Sequence, residues 1–257
     1  MRNLSICAAF LSIALCGMLN ADEKMSMSDS DKAMYAEMLE NNPADMDLAE
    51  GEELFNRFIG EASYAKLLGV KEKELPKFIA GFPRLIKPAG KVITLAQSLQ
   101  LAMADRNQAV PKLESGESVK MSAYVKSLAN GQKTNIDVKA NKQMQEMMKL
   151  GQTVFEERRG GRGLSCNSCH SPDIIGTRLR MQPLPDLGAK ETASAGTWPA
   201  YRMTQSAMVT FDKRMQQCMK NALLAELPLG SKEMVALEVY ATNKTKGNAI
   251  QIPGLKR

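Results

Sequence analysis

The 257-residue chain is 44% hydrophobic, 24% charged and only 5% aromatic, the composition of a soluble globular protein long enough for two small cores. Its formal net charge of +6 is scattered rather than drawn into a stripe, which argues against a nucleic-acid footprint and suits a surface that meets anionic substrates and partners.

At the N-terminus, Arg2 precedes an apolar run from Leu4 to Leu19, and small Ala21 stands ahead of the polar stretch DEKMSMSDSDK. Residues 1–21 read as a secretory signal peptide cut after Ala21, which predicts a periplasmic protein. The run of about 16 residues is short of the roughly 20 that a spanning helix needs, so no membrane span is expected in the mature form. Leu15 is too bulky beside Cys16 for lipoprotein processing. Cleavage removes Cys7 and Cys16 and leaves Cys166, Cys169 and Cys218, an odd cysteine in an oxidising compartment.

Residues 22–45 form an N-terminal extension. Asp47 and Glu50 then give a capping-box-like start to a helix carrying Leu54, Phe55, Phe58 and Ile59, and Met144, Met147, Met148, Gly151, Val154 and Phe155 mark the face of a later one. Alternation of period two is scarce, so the fold is expected to be mainly α. Gly160, Gly161 and Gly163 interrupt the second helix before Cys166-x-x-Cys169-His170, and a Pro- and Gly-rich loop from Pro172 to Pro199 follows. A helix, this motif, a long loop and more helices is how a small cytochrome c wraps its haem.

The chain also repeats itself. Residues 82–131 lie over 198–247 without a gap, with 11 identities in 50 positions, among them Pro83/Pro199, Thr94/Thr210, Met103/Met219, Ser115/Ser231 and Tyr124/Tyr240. Upstream, GEELF at Gly51 matches GQTVF at Gly151, so Tyr64, Leu67 and Leu68 stand at the places of Cys166, Cys169 and His170. Two tandem cytochrome-c-like domains are expected, 46–135 without haem and 136–257 with it.

Two thiols three positions apart form thioethers to the haem vinyl groups, and His170, the only histidine, takes one face of the iron. One covalently bound haem c follows. A zinc site from the same residues would need adjacent Cys169 and His170 to converge on one metal, and a thioredoxin-like pair would need a strand-to-helix setting. For the other iron ligand the region offers Met203, Met208, Met215 and Met219, the usual choice of electron carriers, or Cys218. Helical periodicity puts Phe211, Met215, Cys218, Met219 and Ala222 on one face, with Arg214 one turn before Cys218. A guanidinium there lowers the thiol's pKa and favours a reactive thiolate, and the repeat sets Ala102 and Ser98 against Cys218 and Arg214. His170 and Cys218 are therefore the expected iron ligands.

In FEERRGGRGLSCNSCHSP, TRLRMQPLP, WPAYR and RMQQCM the sequence resembles the SoxA family, the catalytic cytochrome subunits of periplasmic SoxAX complexes. Many of that family carry a second haem in the N-terminal domain; with Tyr64, Leu67, Leu68 and Ala102 this chain resembles the single-haem branch. The resemblance implies an L-cysteine S-thiosulfotransferase that oxidatively couples thiosulfate to a cysteine of a SoxYZ-like carrier, as a heterodimer with a SoxX-like cytochrome. It further implies Cys218 as catalytic nucleophile as well as iron ligand, and Arg214 as the residue that holds the anion. An ordinary monohaem electron-transfer cytochrome with a methionine ligand is the alternative, and an interaction subunit that only docks a partner is a third reading. Arg180 and Arg202 are open between haem propionate, substrate and surface salt bridges.

Overall fold

The computed structural model describes residues 29–174, 178–179, 182–184, 186–187 and 194–256, so the signal peptide and its cleavage point lie outside the described residues. Its helices are α1 (Asp29–Glu40), α2 (Asp45–Phe58), α3 (Glu61–Leu68), α4 (Leu75–Ile79), α5 (Leu95–Asp105), α6 (Gly116–Ser127), α7 (Lys142–Glu156), α8 (Asn167–His170), α9 (Phe211–Ala222) and α10 (Lys232–Lys244). Short strands interleave with them: β1 (Arg84–Ile86), β2 (Lys91–Ile93), β3 (Arg178–Leu179), β4 (Gln182–Pro183), β5 (Ala200–Arg202), β6 (Ala207–Val209) and β7 (Gly254–Lys256). The fold is predominantly helical, as the periodicity requires. Among the described residues no helix is long and apolar enough to cross a membrane.

The offset of the sequence repeat recurs in three dimensions. Antiparallel hairpin β1–β2 pairs Ile86 with Lys91, and β5–β6 pairs Arg202 with Ala207. Thr94 and Thr210 cap α5 and α9, Ser115 and Ser231 cap α6 and α10, and each side chain accepts a hydrogen bond from the backbone N–H three residues on. Gln100 donates to the Pro111 carbonyl at 2.7 Å as Gln216 donates to that of Leu227 at 3.0 Å.

In both halves the first and last helices touch backbone to backbone. A Cβ on Gly51 would stand 2.2 Å from the Lys120 carbonyl oxygen, and one on Gly151 would stand 2.0 Å from that of Ala236. Beside each contact the same aromatic pair packs, Phe55 with Tyr124 at 5.6 Å and Phe155 with Tyr240 at 5.1 Å between centroids. The α2 start departs from the sequence expectation: Ala44 is the cap, and no side-chain cap bond forms. Asp47 and Glu50 lie inside the helix, where both carboxylates pair with Lys120 of α6.

The halves exchange their hairpins. Val92 of β2 belongs to the apolar cluster of Met144, Met147, Val235 and Val239, and Met208 of β6 to that of Ala44, Val119 and Ala123. Between the halves lies a cleft that receives Ser122 and Lys126 from α6, Asp212 from α9 and Glu238 from α10. Lys126 is 7% exposed, and the Ser122 hydroxyl has no hydrogen-bond partner. Burial, with Asp212 adding to it and Lys126 opposing it, raises the Glu238 carboxyl to about 8. Burial lowers Lys126 to about 8, against the pull of Glu238.

Two tests follow from this packing. Gly151→Ala forces the α7–α10 crossing apart and is expected to cost about 2–3 kcal/mol, whereas Gly161→Ala, which meets nothing within 4 Å, leaves the denaturation midpoint unchanged. For the buried pair, the native carboxyl of Glu238 keeps a proton that the unfolded chain releases, so stability falls as pH rises from the ordinary carboxyl value towards 8. Native Lys126 loses its proton first, so stability recovers above 8 as pH approaches the ordinary lysine value. Urea midpoints across this range should therefore be lowest near pH 8, and Glu238→Gln should remove the falling limb.

Candidate haem and thiol site

The motif is folded before any ligand is considered. Ser165 and Ser168 cap each other, with their backbone N–H groups donating to the opposite hydroxyls at 3.1 and 3.2 Å. One helical turn follows, in which Cys169 and His170 donate from the backbone to the Cys166 carbonyl at 3.1 and 3.0 Å, and it gathers both thiols and the imidazole at one place. The glycine loop ahead of it closes through Arg159 N–H to the Leu164 carbonyl at 3.0 Å. Gly160 has φ +77, and a Cβ there would lie 2.3 Å from the Leu223 carbonyl oxygen, so this position needs glycine for conformation and for room. That contact pins the loop to the end of α9.

Helix α9 brings Cys218 opposite the motif, with its Sγ 3.9 Å from His170 Nε2. The two groups face each other in a cleft walled by Phe155, Leu187, Met215, Met219 and Leu237. Ordinary metal–thiolate and metal–imidazole bonds are about 2.3 and 2.0 Å, close to the span between these two atoms. The residues fit a haem: apolar walls, two thiols at one edge, and two ligating atoms opposed. Among the described residues there is no group of three or more His, Cys, Asp or Glu side chains that could hold a metal ion.

Four of the five residues assigned to one face of α9, Met215, Cys218, Met219 and Ala222, line this cleft. Phe211 does not; it packs with Trp198, Ala200 and Val209. Of the methionine candidates, Met208 is held in the cluster with Ala44, and Met203 is 41% exposed on the β5–β6 turn, which leaves Met215 and Met219 near the cleft.

Burial outweighs the arginine at Cys218. The thiol pKa is raised by desolvation, while Arg214 pulls it down and Cys169 pushes it up. The sign expected for Arg214 holds, but the net thiolate-favouring effect expected from it does not, because the walls are apolar. Cys166 is pushed up to about 11, mainly by burial.

In the other half the corresponding space is filled. Tyr64 is fully buried, edge-on to Phe55 at 5.7 Å, and its hydroxyl meets Ser98 Oγ at 2.6 Å. Ser98, at the place of Arg214, turns its hydroxyl to the Leu95 carbonyl at 2.7 Å, and Ala102, at the place of Cys218, is 2% exposed.

Arg180 lies outside the described residues. Arg202 is not a surface arginine, since only 7% of it is exposed. The Gln217 amide donates to Gln205 Oε1 at 3.0 Å and ties the β5–β6 turn to α9 beside Cys218. Gln217 and Gly160 carried no signal read from the sequence as site residues; the repeat held one for Gln217, which stands against Leu101.

Residues 50–134 match a family profile described as the SoxA/TsdA cytochrome c domain, a match that falls on the half lacking the Cys-x-x-Cys-His motif. The L-cysteine S-thiosulfotransferase subunit SoxA of Hydrogenophilus thermoluteolus is 33% identical over 236 residues, 86% of this chain and 85% of the relative. A protein of that description from Hydrogenobacter thermophilus is 28% identical, over 84% of this chain and 82% of the relative. The crystal structure of SoxXA from P. pantotrophus is similar in fold, with TM-score 0.74 and 19% identity, over 88% of this chain and 84% of that one.

Proposed function

The chain belongs to the SoxA family of L-cysteine S-thiosulfotransferase subunits, and from that premise we propose that it couples thiosulfate oxidatively to a cysteine of a SoxYZ-like carrier protein in the periplasm. In this reading residues 1–21 are the export signal and 22–45 an extension. Residues 46–135 are a haem-free cytochrome-c-like domain, and 136–257 are the haem-binding catalytic domain, which works as a heterodimer with a SoxX-like cytochrome.

The observation that carries the reading is the placement of Cys218 Sγ against His170 Nε2 at 3.9 Å inside an apolar cleft. Held by thioethers to Cys166 and Cys169 and ligated by His170 and Cys218, a single haem c would supply a one-electron acceptor and a cation that offsets the burial of the Cys218 thiolate. The net reaction joins a carrier thiol to the outer sulfur of thiosulfate: one S–S bond forms, one S–H bond breaks, and one proton and two electrons leave. Since one haem takes one electron at a time, the SoxX-like subunit supplies the second acceptor.

Arg214, whose charge reaches Cys218, grips the sulfonate oxygens through its planar fork. Cys218 sulfur joins the outer sulfur of thiosulfate with loss of the two electrons. The carrier thiolate then attacks that outer sulfur, and Cys218 departs as thiolate, an ordinary thiol–disulfide exchange. The apolar walls exclude water from the activated sulfur.

Cys218→Met keeps a sulfur but no nucleophile, because a thioether neither ionises nor carries a second sulfur. The variant should retain one covalent haem per chain by pyridine haemochrome, show a raised reduction potential and a changed spectrum, and lose thiosulfate coupling at least a thousandfold. Wild-type coupling with an unchanged spectrum would instead favour Met215 or Met219 as ligand and the electron-carrier reading. Arg214→Lys keeps the charge without the fork; turnover should fall about ten- to a hundredfold with the spectrum nearly constant. An unaltered rate removes Arg214 from the anion site.

A further inference from the structure

Positions related by the repeat meet again in the cleft between the halves. Ser122 and Glu238, Lys126 and Thr242, and Ala96 and Asp212 stand at equivalent places in the two halves, and all six line this one cavity. An approximate two-fold relation therefore passes through it, and the charges break that relation. Both carboxyls come from the second half, where the first has serine and alanine, and the ammonium comes from the first. Among the described residues around the cavity the titratable groups are Lys126 of α6, Asp212 of α9 and Glu238 of α10, while α5 and the segment before β5 present none.

The asymmetry follows the haem cleft. Helix α10 divides the two spaces: Leu237 and Ala241 line the haem cleft, and their neighbours Glu238 and Thr242 line the cavity between the halves. Helix α9 does the same, with Asp212 on one side and Met215 and Cys218 on the other. A carboxyl removed from water is costly unless its charge is paired or its proton is kept. The Asp212 carboxylate is already held, accepting from the Thr210 hydroxyl and from the Lys213 N–H at 2.8 Å. Glu238 shares the cavity with Lys126, which is 7% exposed, and with the buried Ser122 hydroxyl, which has no hydrogen-bond partner. Burial and then Asp212 favour its protonated form and Lys126 its ionised one, which balances the group at about 8, where one further charge nearby decides its state.

We propose that Glu238 is a proton-exchanging group coupled through α10 to the haem cleft, taking up a proton when that cleft gains an electron and releasing it when the electron leaves. The assignment rests on the haem reading given above. One electron enters the cleft, supplied in the proposed reaction by the joining of two sulfurs. One proton enters from solvent, to which Glu238 is partly open, and an O–H bond forms at its carboxyl. The net charge of the region is then unchanged, and Lys126 offsets the carboxylate while the cleft is oxidised. The Ser122 hydroxyl adds a polar group to a lining along which water can relay the proton. Electron and proton affinities are linked reciprocally, so the reduction potential falls as pH rises through the range in which Glu238 ionises.

The test measures the reduction potential of the haem-loaded protein from about pH 6 to about pH 10, with the infrared difference between reduced and oxidised forms, for wild type, Glu238→Gln and Lys126→Met. In wild type the potential should fall across the region around 8, and reduction should raise a protonated-carboxyl band that moves in deuterated water. Glu238→Gln should lose that band and fall less steeply over the same region. Lys126→Met removes the charge that favours ionisation and should carry the fall to higher pH. Urea midpoints and haem content check that each variant is folded and loaded. A band and a curve unchanged by Glu238→Gln overturn the proposal. So does a potential displaced equally at every pH, which would make Glu238 a fixed charge. A wild type without haem by pyridine haemochrome overturns the haem reading and this proposal with it, whereas a normal pH response without thiosulfate coupling counts against the proposed function alone.

Discussion

The cleft exists because α7 lies on α10 with no side chain between them. At Gly151 the backbone of one helix meets the Ala236 carbonyl of the other at a separation that excludes even a methyl group. This crossing brings together Phe155 on α7 and Leu237 on α10, which form walls of the cleft. The motif can then be presented to α9 at one place only. The same crossing at Gly51 and Lys120 organises the other half, so one close contact, used twice, accounts for most of the architecture.

Inside that frame the electrostatics are governed by removal from water. An arginine one turn from a cysteine would yield a reactive thiolate on an exposed helix, yet here the apolar walls raise the Cys218 pKa despite Arg214. The cleft therefore sets dry apolar walls against any ionised sulfur, and a thiolate at Cys218 would need positive charge within the cleft itself rather than at its rim. In the first half, Tyr64 and Ser98 satisfy each other by a hydrogen bond.

What could be read from the sequence was whatever is carried by short-range pattern. The Cys-x-x-Cys-His turn, the amphipathic face of α7, the capping threonines and serines, and the position of Cys218 on α9 all depend on spacings within one or two helical turns. The repeat was legible because both halves preserve the residues that make helix crossings and caps. Features that depend on distant partners were not. Asp47 and Glu50 look like a helix start until Lys120 is seen beside them. Strands of three residues are too short to alternate, so both hairpins went unread. Phe211 follows the periodicity of α9 but lies at its first turn, where Trp198 claims it. Arg202 has the look of any scattered arginine until its burial is known.

Residues 250 to 252, late in the second half of the chain, complete the core of the first half. Ile250 and Ile252 lie in the cluster with Phe55, Tyr64 and Leu99, and backbone and side-chain bonds tie them to Gln132 and Asn130 at 2.9, 2.7 and 2.8 Å. Strand β7 then joins β5 in parallel. A chain made and threaded outward from its N-terminus cannot finish its first half until its final residues have emerged. The core around Phe55 and Tyr64 thus stays incomplete until residues 250 to 252 are in place.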